Sequence, residues 1–219
     1  LPDLAYEILD QRAESHDLLG HFKASLDDLD QMVAKAQEIG DAHLQTRILF
    51  RQLFTAGRMG DGKKIHTLAE ETKKIGENND DISIAAAVSL AAGSSHWNLE
   101  ERAEAQTKFE QALRSYRAAG DREGEANTLQ ALGSVVLDGG NQELARKYSL
   151  DALEIWRTLG YRRGEARARN AWSLTTSDYA QKRDAGEEAL EIFISIADLW
   201  GQCQMYNNLS LLYGHLGLY

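Results

Sequence analysis

Apolar residues return at helical spacing along most of the chain. Met205, Leu209, Leu212 and Leu216 stand at i, i+4, i+7 and i+11 and so share one stripe of a helix. Ala105, Ala112 and Leu113 come back as Ala145, Ala152 and Leu153, and "DALEIWRTL" is echoed by "EALEIFISI" around Ala189 and Leu190. Tyr116, Trp156 and Phe193 fall at equivalent places in these runs, where helix-periodic aromatics fill a core. Small residues at the recurring positions let two helices approach, and the larger ones fill the space between them.

Between the apolar runs, glycines mark a ruler. Gly120, Gly124, Glu125 and Ala126 reappear as Gly160, Gly164, Glu165 and Ala166, each displaced by 40 positions. Gly20, Gly60 and Gly140 lie on the same grid, Glu100 holds the intervening mark, and the grid slips by three before Gly217. Gly40, Gly120 and Gly160 form a second ruler at the ends of the units. Glycine readily takes the left-handed conformation that stops a helix, so each unit reads as two amphipathic helices joined by a short turn. The pairs predicted are 4–40, 41–76, 81–120, 121–160 and 161–197, with 199–217 as the first helix of a sixth unit. In the second unit the last helix ends near Ile75, and the fifth unit has no glycine in its turn.

Composition agrees with an all-α chain. Pro2 is the only proline of 219 residues, so helix formers run uninterrupted. No apolar window is long enough to span a bilayer and no signal-peptide plan opens the chain, which predicts a soluble, cytoplasmic protein. Cys203 is the only cysteine and reads as a small buried side chain on a helix. The net charge of −10 disfavours generic nucleic-acid and anionic-membrane binding. The lack of an initiator Met, and the ending "LLYGHLGLY", give the expectation of a piece of a longer chain.

Candidate chemistry is sparse. "GRMGDGKK" places Gly57, Gly62 and Lys63 in the spacing of a phosphate-binding loop. Lys64 stands where the magnesium-binding hydroxyl belongs, however, and a helix precedes the motif in place of a strand. The six histidines show no i,i+4 pairing, and no nucleophile elbow is present, so no catalytic residue, metal site or cofactor is expected. Two basic stretches stand out. "TRILFRQLFTAGR" sets Arg47, Phe50, Arg51, Phe54 and Arg58 on neighbouring faces of one helix. This is either a stripe for an acidic peptide or anionic ligand, or aromatic packing with solvated arginines. "WRTLGYRRGEARARNAW" gathers Arg157, Arg162, Arg163, Arg167 and Arg169 among aromatics. It is either a nucleic-acid surface, which the overall charge disfavours, or a helix joint where cations face a C-terminus.

The run Leu129-x-x-Leu132-Gly133-x-x-Val136, followed by Ala145, Tyr148 and Ala152, resembles the tetratricopeptide repeat motif, as do Tyr206-x-x-Leu209-Ser210-x-x-Tyr213 and Ala105-x-x-x-Phe109. The resemblance covers the whole chain and is strongest over 82–197. It departs from the usual pattern in a 40-residue unit instead of 34 and in lacking the proline after the second helix. Longer units with "G-D-x-x-G-E-A" joints are similar to the sensor arrays of large bacterial regulators such as maltose-activator-type ATPases and transcription factors. The resemblance implies a single right-handed superhelical α-solenoid of about 11 helices, whose first helices line a concave groove. It places Arg47, Phe50, Arg51, Phe54, Arg58, Asn127, Gln130, Arg167, Asn170, Gln204 and Asn207 on that groove. The expected function is a non-enzymatic scaffold binding a protein or peptide, acidic where it meets the arginines. The alternative is a small-ligand sensor governing an attached ATPase or DNA-binding domain. The stripe from Met205 to Leu216 further predicts weak self-association through the C-terminal helix.

Overall fold

The computed structural model describes residues 4–215. Eleven helices follow one another: α1 (Leu4–Leu18), α2 (Phe22–Glu38), α3 (Ala42–Met59), α4 (Gly62–Gly76), α5 (Ile82–Asn98), α6 (Arg102–Ala119), α7 (Arg122–Asp138), α8 (Gln142–Leu159), α9 (Arg162–Ser173), α10 (Tyr179–Ser195) and α11 (Leu199–His215). Among the described residues there is no strand. The chain divides into two compact units, Leu1–Gly124 and Glu125–Tyr219.

The joints follow from two adjacent residues with complementary preferences. Gly40 and Gly60 are left-handed, with φ of 71° and 66°. The amide that follows each reaches back to a carbonyl of the last turn, Asp41 to Ala36 and Asp61 to Ala56, both at 3.0 Å. The same aspartates then cap the next helix. Asp41 accepts from the Leu44 amide at 2.9 Å and Asp61 from the Lys64 amide at 3.0 Å. Asn141 repeats this after Gly140, accepting from Leu144 at 3.1 Å. Glu100, on the glycine grid, takes φ 62° despite its side chain, and Ala197 takes φ 55°. Ala197 lies three short of the next grid mark. The slip arises in α9, which has 12 residues where α7 has 17, and a longer turn recovers only part of the difference.

Each unit buries its own apolar stripes. In the first, Leu9, Ala13, Leu29, Met32, Ala36 and Ile48 form one cluster. Leu49, Leu53, Ala56, Ile65, Leu68, Ala69 and Ala91 form another. In the second, Ala166, Ala189, Ile192, Phe193 and Met205 pack together. The expected stripe of α11 is therefore already covered: Met205, Leu209 and Leu212 are buried at 0%, 7% and 4% exposure. They face inward because α11 packs on α10, where Leu209 lies against Gly186. Leu216 lies outside the described residues. Cys203 is on the opposite face and exposed, which corrects the expectation of a buried thiol.

Candidate functional site

The helix α3 carries the first basic stripe, and α1 answers it. Arg51 pairs with Asp10. Arg58 lies 3.7 Å from the carboxylate of Asp17 and donates to its carbonyl at 3.4 Å, while Thr55 donates to the same carboxylate at 3.1 Å. The Arg58 side chain is only 3% exposed, and its guanidinium stacks 4.7 Å from the centre of Phe54 and 5.3 Å from that of Phe22. Phe54 is half-buried beneath it. Two of the three arginines are thus neutralised within the first unit, which leaves Arg47 exposed beside a half-buried Phe50. Burial raises the pKa of Tyr6, and Asp10 adds to this against the opposing charges of Arg51 and Arg47, so these groups share one electrostatic neighbourhood.

The second basic stretch is a joint. Glu165, at the start of α9, accepts from Arg157 at 3.2 Å, Arg162 at 2.5 Å and Arg169 at 3.2 Å. Arg169 also pairs with Glu188 of α10. Arg163 donates to buried Asp198 at 2.8 Å. Arg157, Arg163 and Arg169 thus tie α9 to its neighbours while Arg162 pairs within α9, and Trp156 and Tyr161 pack on each other with ring centres 5.2 Å apart.

The polar residues of the second unit divide by exposure. Gln130 of α7 is buried and accepts from the indole Nε1–H of Trp156 at 3.2 Å. Asn170 of α9 is buried and accepts from Asn208 of α11 at 3.0 Å, which fixes the two helices side by side. Asn208 lies outside the groove set expected from the sequence, which named its neighbour Asn207. Asn127, Arg167 and Gln204 are half-buried and Asn207 is exposed. Gln130 and Asn170 therefore orient the scaffold, and the other four are open to solvent in part or, for Asn207, largely.

The glycine-rich motif is a helix–turn–helix. Gly57 lies inside α3, Gly60 forms the turn and Gly62 opens α4. A Cβ on Gly62 would stand 2.3 Å from the side-chain amide of Asn98, whose exposed end would have to turn aside. Among the described residues no cluster of three or more His, Cys, Asp or Glu side chains is placed to hold a metal ion, and no helix is long and apolar enough to cross a membrane.

Residues 84–158 match the family model described as tetratricopeptide repeat. Those residues therefore carry the tetratricopeptide pattern, over about a third of the chain. The repeat chain is similar in fold to BtubC from P. vanneervenii, with a TM-score of 0.66 and 17% identity over 96% of this chain and 85% of that one. It is similar to a signal transduction ATPase with numerous domains from Pyrococcus horikoshii that has a tetratricopeptide repeat sensor, at TM-score 0.62 and 19% identity. That match covers 95% of this chain and 32% of the ATPase. The apo form of RapI is similar at TM-score 0.58 and 13% identity, over 99% and 86% of the two chains. At these identities the likeness establishes the fold alone. No curated protein matches the repeat chain.

Proposed function

We propose that the repeat chain is a non-enzymatic, cytoplasmic interaction segment of a larger bacterial regulatory protein, and that it holds a protein or peptide against the first helices of its pairs. The observation that carries this reading is the partly exposed polar set of the second unit. Asn127, Arg167, Gln204 and Asn207 stand on α7, α9 and α11, none of them fully buried, beside the part-buried Asn170–Asn208 bond. Side-chain amides both donate and accept, which suits the backbone of an extended peptide. The exposed Arg47 of the first unit favours acidic side chains on a partner that meets it there.

Selection of random peptides on the 219-residue chain provides the test. The selected peptides are expected to lose about tenfold in affinity when Asn127 and Arg167 are both replaced by Ala, a loss of about 1.4 kcal/mol, with an unchanged melting temperature. Unaltered affinity would move the site elsewhere. A second reading, a small-ligand sensor governing an attached ATPase or DNA-binding domain, is favoured by the likeness to an ATPase with a repeat sensor. It expects a small molecule that raises the melting temperature and is not displaced by the selected peptides.

A further inference from the structure

A cleft of about 310 Å³ opens in the first unit among α4, α5 and α6. The repeat itself accounts for it. Ser89 and Ala92 of α5 stand 40 positions before Leu129 and Leu132 of α7, both 0% exposed. Ser89 also stands 40 positions after Leu49, which is 2% exposed. The third unit is therefore missing the bulk of two leucine side chains where its neighbour in sequence is filled. Helix α4 adds to the gap, because it has 15 residues where α2 has 17 and α6 has 18. Val88 approaches the last residue of α4 closely and does not fill the space: a Cβ on Gly76 would lie 2.6 Å from its Cγ2.

The lining combines two chemistries. Val88, Ala92 and the Cβ of Ser89 give an apolar floor. The Ser89 hydroxyl is turned back to the Ala85 carbonyl at 3.0 Å and so makes no polar demand on the cleft. Lys73 and Glu77 at the end of α4 and Lys108 of α6 line it as well. Among the described residues neither lysine is in an ion pair. Two cations against one carboxylate leave the lining net positive, which favours an anion over a neutral molecule of the same shape.

We propose that this cleft binds a medium-chain aliphatic monocarboxylate, its alkyl chain taking the place of the missing leucine side chains and its carboxylate lying between Lys73 and Lys108. The missing bulk amounts to about six carbons, close to the size of a medium-length alkyl chain, whose burial on the apolar floor removes it from water. The cleft volume lies at the lower end for ligand sites, in keeping with so small an occupant. This site is independent of the partly exposed polar set in the second unit.

Calorimetric titration of the full chain with octanoate, and with 1-octanol as the uncharged control, tests the proposal. Octanoate is expected to bind with a dissociation constant below roughly 1 mM, and 1-octanol about tenfold more weakly or worse. Lys73→Met with Lys108→Met should weaken octanoate about tenfold and leave 1-octanol unchanged. Ser89→Leu should abolish both. Should Ser89→Leu disturb folding, as judged by its melting curve, the lysine pair decides alone. Absence of octanoate binding, equal binding of octanoate and 1-octanol, or octanoate binding that survives the lysine substitutions overturns the proposal.

Discussion

Gly164 lies against the buried ring of Trp156, so close that a Cβ on the glycine would stand 2.4 Å from Cδ2. The same relation joins Gly124 to Tyr116 and Gly201 to Phe193, both at 2.3 Å. In each case an aromatic near the end of one helix meets a glycine in the first turn of the next, eight residues on. Gly164→Ala is expected to destabilise the fold by about 1–3 kcal/mol through overpacking, since the ring is 1% exposed and has nowhere to move. Gly160, four residues earlier, is different in kind. It has φ +69° and open space around its Cα, so Gly160→Ala should cost about 1–2 kcal/mol through backbone strain alone. Urea denaturation in a Trp156→Leu background separates the two: the cost of Gly164→Ala should fall there and that of Gly160→Ala should persist.

The helix count and the turn positions were legible in the sequence because a left-handed residue leaves a local mark, and glycine at a fixed period is such a mark. The reason for the second glycine in "GDREGEA" and "GYRRGEA" was not, because Gly124 and Gly164 are each explained by a ring contributed from the preceding helix. The basic stripes illustrate the same limit. Spacing put Arg51 and Arg58 on one side of α3, but only the fold brings Asp10 and Asp17 of α1 alongside them. Helical periodicity reports which face a residue occupies. It does not report which charge on another helix has already met it.

Glu165 gives the clearest pH dependence. Burial pushes its carboxyl up, but hydrogen bonds from Arg157 and Arg169 and the charge of Arg162 more than reverse this, leaving it below its ordinary value. A carboxyl depressed in the folded state contributes stability that is fully present above its unfolded value of about 4.3 and is lost as pH falls through the folded value. Glu165→Gln should therefore be less stable than the parent at neutral pH, with the gap closing below about pH 4. Denaturation midpoints measured across this range check it, and a gap that stays constant with pH would show that the arginines do not act through this charge.

Arg163 and Asp198 form a pair of another type, since both are buried, with side-chain exposures of 8% and 0%. Asp198 does two things at once. It accepts from Arg163 at 2.8 Å and caps α11 by accepting from the Gly201 amide at 2.9 Å. Removing the carboxylate takes a close, buried counter-charge away from Arg163, so Asp198→Ala is expected to cost about 3–5 kcal/mol, with the lost cap contributing about 1 kcal/mol of it. Replacing both members by uncharged groups of similar shape is a different perturbation. Asp198→Asn keeps an oxygen to cap Gly201, and Arg163→Met keeps the packing of the stem without the charge. The double variant should then be less destabilised than the sum of the two single ones by 0.5–3 kcal/mol, roughly the coupling seen between contacting residues. A double-mutant cycle by urea denaturation measures that difference. Strict additivity would mean that Asp198 holds α11 through its cap alone, and that the bond to Arg163 adds nothing to how α9 is fixed.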